Sequence, residues 1–170
     1  SFKLAPVTPA RAGEPATRAF NNDKQGENTM DFGFVFMGSC QVTPQVKHAE
    51  DRGYSHGWLY DSQMLGSEVY ASLALCAAGT KKIILGPGVT NPKSRIAPLT
   101  ACGMATINQI APGRAVLGIG TGNTTRRTLG MPAARLDELR EHIEVCQGLF
   151  RDEITDYSEG DRHRKIRFLN

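Results

Sequence analysis

The 170-residue sequence has no long hydrophobic run and no strong excess of charge. Its apolar stretches stay well short of the roughly 18 residues that cross a bilayer, and its first residues lack the apolar core of a secretory signal. The net charge of +3 is far from the clustered positive charge with which nucleic-acid-binding proteins displace counterions. We therefore expect a cytoplasmic protein that binds neither a membrane nor nucleic acid.

The sequence also has few of the residues that hold metals or form hydrolytic triads. Its four cysteines lie far apart, with no C-x-x-C pair and no histidine at metal-ligand spacing, which argues against a zinc site or a disulfide framework. The four histidines are scattered, and none pairs with a plausible nucleophile. We expect no metal, and the catalytic residues are unknown.

Short apolar runs and amphipathic helical patterns alternate along the chain. The predicted strands begin near residues 31, 57, 82 and 115, and the clearest predicted helix covers 135–150. The strands show no polar alternation, which is typical of parallel strands buried on both faces. The pattern predicts an α/β fold with right-handed crossovers, either an open doubly wound sheet or four units of a (β/α)8 barrel.

Two terminal segments do not follow this alternation. Residues 1–29 are rich in proline, alanine, glycine and charge without periodicity, so they are expected to form an irregular extension. Residues 154–170 contain two short strand-like runs around a turn at 159–161 and are predicted to form a hairpin-like insertion. In the third predicted helix, which begins at Pro98, the apolar pattern predicts buried side chains at four positions: Leu99, Cys102, Ile107 and Ile110.

Glycines gather where the third and fourth predicted strands end. Residues 86–91 read Gly-Pro-Gly-Val-Thr-Asn, and residues 118–123 read Gly-Ile-Gly-Thr-Gly-Asn. Glycine lets the backbone approach a flat ligand, and parallel architectures bind ligands at the carboxyl ends of their strands. Asp61 follows the second strand, where its carboxylate can accept a hydrogen bond from a ligand or stabilise the turn. We predict one shared site.

The glycines at 118, 120 and 122 also permit a dinucleotide-binding interpretation. The usual fingerprint lies in the first βα unit, however, and here the run lies in the fourth, with Asn123 in place of the third glycine. This interpretation stays open as an alternative from the residues alone.

Three segments taken together resemble a known family. They are residues 84–92, residues 106–120 and the helix containing Leu139, Ile143 and Val145. The combination is similar to the bacterial luciferase-like flavin-dependent monooxygenases and their deazaflavin-dependent relatives, which include methylenetetrahydromethanopterin reductase. The resemblance covers residues 30 to about 170 and implies one domain, the N-terminal half of a (β/α)8 barrel. Strands five to eight would then come from a second chain, a longer protein or a second copy.

The resemblance also implies a function. The expected reaction is the oxygenation of a small organic substrate by reduced FMN and O₂. The alternatives are hydride transfer by a deazaflavin coenzyme, or a noncatalytic flavin-binding subunit. The residues that the resemblance assigns to cofactor binding lie at strand exits two, three and four: Asp61, Ser62, Gly88, Val89, Thr90, Asn91, Gly120, Thr121, Gly122 and Asn123.

Three of these residues carry more specific implications. Gly88-Val89 matches a bulge that carries a non-prolyl cis peptide behind the cofactor ring in deazaflavin-dependent members. Ser62 stands where several of those members have a catalytic histidine, so proton donation from this position is not expected here.

Overall fold

The computed structural model describes residues 30–169. The prediction for residues 1–29 lies outside the described residues. Strands and helices alternate first, and a hairpin follows the last helix: β1 Gly33–Met37, α1 Thr43–Asp51, β2 His56–Tyr60, α2 Val69–Gly79, β3 Ile84–Pro87, α3 Ala97–Ile110, α4 Asn123–Thr128, α5 Leu136–Phe150, β4 Thr155–Glu159 and β5 Arg162–Ile166. No helix in the described range has the length and hydrophobicity needed to span a bilayer.

The first three strands form a parallel sheet in the order β1-β2-β3. The segment 115–119 lies next, beside β3 and the loop after it. The order is therefore sequential through four segments, whereas an open doubly wound sheet places its fourth strand beside the first. Antiparallel β4 and β5 pair separately, which confirms the predicted hairpin. Helices α1 to α3 cover one face of the sheet and enclose a core that includes Leu59, Leu73 and Leu85, all fully buried.

The fourth predicted strand, 115–119, lies parallel beside β3 as expected, but it is not a regular strand. It pairs with β3 and the loop after it through two isolated parallel bridges, Leu85 with Ala115 and Thr90 with Ile119. From one bridge to the next, the chain advances five residues between 85 and 90 but four residues between 115 and 119. The extra residue in the first segment forms a bulge that interrupts the ladder. The Gly88 N–H instead donates to the Leu59 carbonyl at 2.8 Å.

Glycines permit this close approach of two backbones. A Cβ on Gly86 would lie 1.9 Å from the Val116 carbonyl oxygen, and a Cβ on Gly118 would lie 2.3 Å from the Pro87 carbonyl oxygen. No side chain fits at either position, which explains why the glycine-rich strand ends are found here.

The predicted buried face of α3 was wrong at three of its four positions. Ile107 is buried, but Leu99 and Ile110 are 51% and 41% exposed, and Cys102 is also exposed. The helix turns small residues toward its neighbours instead: Ala97 and Ala101 pack in the same cluster as α5, and Gly103 lies against the Tyr70 ring. Small residues let three helices approach closely, and this requirement outweighs the burial of the larger side chains.

Candidate functional site

The ends of β2 and β3 and the 118–123 loop meet at one place, as predicted. The Thr90 hydroxyl donates to Asp61 Oδ2 at 2.6 Å, and the Thr125 hydroxyl donates to the Asp61 carbonyl oxygen at 2.6 Å. The Gly120 N–H donates to the Thr90 carbonyl oxygen at 2.9 Å. Gly122 has a φ of 79° and lies against the Asn91 side chain, where a Cβ would come within 2.5 Å of Cγ. Residues 88–91 and 120–123 therefore belong to one continuous surface.

The Gly88–Val89 peptide bond is cis, as the family resemblance implied. Gly88 lies against Trp58, because a Cβ at this position would be 2.8 Å from the Trp58 Cβ. The Val89 side chain is 48% exposed. The bulge therefore presents an apolar side chain and a side-chain-free peptide to solvent at the strand ends.

The ten predicted cofactor-binding residues separate into two groups by exposure. Seven lie at least partly at the surface: Ser62, Gly88, Val89, Gly120, Thr121, Gly122 and Asn123. The other three, Asp61, Thr90 and Asn91, are buried, at 7%, 0% and 0% exposure. The structure thus brings all ten together but makes only the first group accessible to a ligand.

The three buried side chains are occupied by protein partners. Asp61 accepts from Thr90, and Asn91 Oδ1 accepts from the backbone N–H groups of Lys93 and Ser94 at 3.1 and 3.0 Å. Asn91 Nδ2 also contacts the Ser94 hydroxyl at 2.8 Å. These residues hold the bulge and the loop after it in place, and their direct contact with a cofactor stays a prediction.

Burial raises the pKa of the Asp61 carboxyl. The hydrogen bond from Thr90 and the positive charge of Arg95 oppose this effect, while Glu68 adds to it. Arg95 is paired with Glu68 and lies over the Tyr70 ring, 4.5 Å from its centroid. The neutral form of this buried carboxyl is therefore favoured relative to that of an exposed aspartate.

Three residues that the sequence analysis did not assign to the site also contribute to it. Trp58 lies beside three glycines, since Cβ atoms on Gly33, Gly88 and Gly118 would come within 3.1, 2.8 and 3.3 Å of it. Trp58 is the single tryptophan of the chain and lies on a predicted strand, and this is a signal that the sequence contains. Tyr70 has no sequence signal that distinguishes it from the other apolar positions of its helix.

The third of these residues is Gln63, two positions after the strand-end carboxylate. Its Nε2 donates to the Ser94 hydroxyl at 2.7 Å and to Asp61 Oδ1 at 3.4 Å. Its Oε1 is buried and has no hydrogen-bond partner among the described residues. Its amide therefore supports the Asp61 carboxylate and the loop at Ser94, and its position two residues after Asp61 is a signal that the sequence contains.

These features fit a flat, mainly apolar ring with polar groups at its edge. Val89 and the side-chain-free backbone of Gly88, Gly120 and Gly122 leave room for a planar surface, and the neighbouring Thr121 and Asn123 side chains are polar. Among residues 30–169 no group of three acidic, histidine or cysteine side chains could hold a metal ion. The residues present are therefore better suited to an organic ring than to a cation.

Comparisons with known proteins agree with this geometry. A family model described as luciferase-like monooxygenase matches residues 39–169. The 5,10-methylenetetrahydromethanopterin reductase of Archaeoglobus fulgidus is 38% identical over 133 residues, which cover 75% of this chain and 40% of the relative. The solved structure of the coenzyme F420-dependent tetrahydromethanopterin reductase from Methanopyrus kandleri matches with a TM-score of 0.69 and 28% identity, over 76% of this chain and 42% of that one.

A more distant structure shares the fold alone. It is the oxygenating constituent of 3,6-diketocamphane monooxygenase from Pseudomonas putida, in complex with FMN, with a TM-score of 0.65 and 16% identity. The match covers 80% of this chain and 43% of that chain. The chain thus spans about two fifths of the length of the reductases it matches, and its fold is part of a (β/α)8 barrel. With its family model, its reductase relatives and its strand-end geometry in agreement, the chain belongs to the luciferase-like monooxygenase family of oxidoreductases.

Proposed function

We propose that this chain supplies the surface that binds the cofactor ring in a deazaflavin-dependent oxidoreductase. The observation that carries the proposal is the bulge at Gly88–Val89, which presents an exposed apolar side chain beside the glycine-rich 120–122 backbone. The relative at 38% identity is a methylenetetrahydromethanopterin reductase, and the related solved reductase is described as dependent on coenzyme F420. Such a coenzyme supplies hydride-transfer chemistry when bound.

Some of the strand-end residues contact the ring in this proposal, and others hold the contacting residues in place. Gly88 and Val89 back one face of the ring, and Thr121 to Asn123 border its edge. Asp61 and Thr90 hold the bulge from behind through their 2.6 Å hydrogen bond. Ser62 replaces the histidine expected from several deazaflavin-dependent relatives, and a serine hydroxyl does not titrate in the neutral range, so we assign no proton donor at this position.

FMN is the second candidate, with O₂ as co-substrate and oxygenation of a small organic molecule as the reaction. The family description as monooxygenases over residues 39–169 favours it. The accessible strand-end surface suits either ring, since both are flat and tricyclic. A noncatalytic flavin-binding subunit is the remaining alternative, and steady-state turnover by the complete protein, lost in Gly88→Val, would exclude it.

We also propose that a second half barrel completes the site. Among the described residues β1 forms one edge of the sheet with no strand beyond it, and its Val35 and Met37 side chains are 45% and 47% exposed. A groove of about 500 Å³, lined in part by Phe34, Phe36 and Tyr54, lies beside this edge. Unpaired edges and apolar surfaces of this kind need cover, which strands five to eight would provide from a further segment, another chain or a second copy.

The test is cofactor binding followed through tryptophan fluorescence, with Trp58→Phe identifying the signal of Trp58, which contacts Gly88. Titration of the complete protein with coenzyme F420 and separately with FMN is expected to quench its fluorescence. The deazaflavin should bind at least about tenfold more tightly, a difference of about 1.4 kcal/mol. Tighter binding of FMN would favour the second candidate, and no binding of either cofactor would overturn the proposed function.

Two variants with similarly exposed aliphatic residues give a matched control. Val89→Gln replaces the apolar surface of the bulge, whereas Leu75→Gln changes a side chain of similar exposure, 46%, on α2. We expect Val89→Gln to weaken cofactor binding about tenfold or more, and Leu75→Gln to leave it unchanged. Equal effects of the two variants would contradict the assignment of the bulge as the binding surface.

A further inference from the structure

Residues 118–122 pass directly into α4, a helix that is too short to be stable alone. It has six residues and no side-chain cap at its start. Isolated helices of fewer than about 12 residues are marginal in water, so contacts outside the helix must determine the position of α4. Because residues 120–123 lead into this helix and form part of the strand-end surface, the same contacts determine the arrangement of that surface.

Thr125 is the single buried residue of α4. It is 5% exposed, whereas Asn123, Thr124, Arg127 and Thr128 are all exposed. A helix with one buried side chain has no apolar stripe with which to pack against the rest of the molecule. The attachment of α4 therefore depends on this one side chain, and the side chain is polar.

The Thr125 hydroxyl donates to the main-chain carbonyl oxygen of Asp61 at 2.6 Å. Among the described residues, this is the only hydrogen bond that joins 121–130 to any part of the chain outside 118–135. The other hydrogen bonds of the segment are local. Thr125 is thus the single polar link between α4 and the end of β2.

This link closes a ring of hydrogen bonds around the strand ends. The Asp61 carboxylate accepts from the Thr90 hydroxyl at 2.6 Å, and the Thr90 carbonyl oxygen accepts from the Gly120 N–H at 2.9 Å. The chain then runs from Gly120 to Thr125, whose hydroxyl returns to Asp61. One aspartate therefore holds both sides of the strand-end surface, the bulge through its carboxylate and α4 through its main-chain carbonyl.

Two glycines flank α4 and provide positions at which the backbone can turn. Gly122 and Gly130 have φ values of 79° and 66°. Glycine adopts positive and negative φ about equally readily, so rotation at these two residues would move the helix as a unit. Gly122 lies against the Asn91 side chain, where a Cβ would come within 2.5 Å of Cγ. Movement of α4 would therefore change the contact between the two halves of the strand-end surface.

We propose that Thr125 is a positioning residue, whose hydroxyl fixes α4 to Asp61 and thereby holds the 120–123 backbone in the arrangement that receives the cofactor ring. Because Thr125 is buried, it acts through that backbone rather than by contact with the ring. The identity of the ligand rests on the proposed function, whereas the attachment of α4 is a property of the free protein. This role transfers no proton and no electron.

Thermodynamic linkage makes the effect reciprocal. Opening of α4 weakens the binding of the ring, so a bound ring must oppose the opening of α4 by the same factor. A residue with a merely structural role would change stability without this coupling. The opening of α4 and the binding of the cofactor therefore have to be measured on the same variants.

The first measurement is hydrogen exchange of the Arg126 amide in the full chain without cofactor. This N–H donates to the Gly122 carbonyl oxygen at 2.9 Å, so it exchanges when the start of α4 opens. Thr125→Val keeps the branched shape but removes the donor, and exchange should become about tenfold faster. Thr125→Ser should restore the slow rate, and Thr124→Val, which removes an exposed hydroxyl of the same helix, should leave it unchanged. Equal rates in Thr125→Val and the unmodified protein would overturn the proposal.

The second measurement is cofactor binding to the complete protein, followed through tryptophan fluorescence. Thr125→Val should weaken binding about tenfold, Thr125→Ser should restore it, and Thr124→Val should leave it unchanged. Faster exchange in Thr125→Val with unchanged affinity would overturn the proposal.

A third measurement needs no variant and therefore holds should Thr125→Val fail to fold. Bound cofactor should slow the exchange of the Arg126 amide in the unmodified protein, and an unchanged rate would overturn the proposal. Absence of binding by the unmodified protein would instead overturn the proposed function, and with it the ligand of this inference. The exchange rates without cofactor would still decide whether Thr125 fixes α4.

Discussion

The two faces of the three-stranded sheet are built from different residues. On the helix-covered face, Leu59 and Leu85 are fully buried among aliphatic side chains of α1 to α3. On the opposite face, Trp58 lies among glycines, and Tyr60 and Met37 are 44% and 47% exposed. The helix-covered face is closed around Leu59 and Leu85, whereas the opposite face leaves large side chains exposed. The side chains that fill the core and those left exposed therefore alternate along the same strands.

The largest effect is expected where the open face brings two backbones into contact. Gly86→Ala should lower the free energy of unfolding by about 4 kcal/mol or more, because the new Cβ would lie 1.9 Å from the Val116 carbonyl oxygen. Gly120→Ala should cost less than about 1 kcal/mol, since its Cβ would meet only the exposed Val89 side chain, at 3.1 Å. Chemical denaturation of both variants provides the measurement. A mild Gly86→Ala would mean that the two segments separate easily.

The next effect contrasts adjacent residues of β2 that face opposite sides. Leu59→Ala should destabilise the protein by about 2–5 kcal/mol, because it leaves a cavity in a closed core. Tyr60→Ala removes a larger but partly exposed side chain and should cost less than about 1 kcal/mol. Urea denaturation midpoints at constant m-value would measure both. Similar costs for the two variants would show that the open face is already covered by the rest of the protein.

The carboxyl groups of Asp61 and Glu50 can be compared through the pH dependence of their contributions to stability. Burial raises the pKa of Asp61, so its contribution to stability is present below the unfolded-state pKa and is lost as the pH rises through the folded-state value. For Glu50, burial is outweighed by hydrogen bonds from the backbone N–H groups of Ile83, Lys82 and Lys81, so its pKa is lowered. Its contribution is present above the unfolded-state pKa and is lost as the pH falls.

The two carboxamide variants should therefore change the pH profile of stability in opposite directions. Relative to the unmodified protein, Asp61→Asn should become more favourable as the pH rises from about 3 to 7, and Glu50→Gln should become less favourable. Thermal melts across this range provide the measurement. Parallel profiles for the two variants would contradict the assigned pKa directions.

The smallest effect is expected on the outer surface, remote from either face. Lys47 and Asp51 form an exposed ion pair at 3.2 Å, one turn apart on α1. Asp51→Asn should cost no more than about 0.5 kcal/mol, because solvent and salt screen such pairs. Denaturation in low and high salt should give nearly the same value for the variant. A cost near that of Leu59→Ala would show that α1 depends on this pair for its position.

The sequence contains enough information for the order of elements and for the residues that meet at the strand ends. Short apolar runs and glycine-rich exits reveal the parallel units, and Asp61 and Thr90 meet because parallel strands end at the same edge of a sheet. The bulge that replaces a regular fourth strand depends on backbone contacts between residues 30 positions apart, which no local pattern encodes. The face that α3 buries likewise depends on its neighbours rather than on its own periodicity.

The extra residue in the bulge changes the face of the sheet to which the following side chains point. Counting from Leu85, which faces the helices, a regular strand would turn residue 90 toward the open face. The insertion reverses this parity, and Thr90 is instead fully buried on the helix side, where it meets Asp61. Deleting one residue from 86–89 would turn Thr90 toward the open face and remove its hydrogen bond to the Asp61 carboxylate. A change in the length of this segment should thus disrupt the contact between Thr90 and Asp61 whatever residues the segment contains.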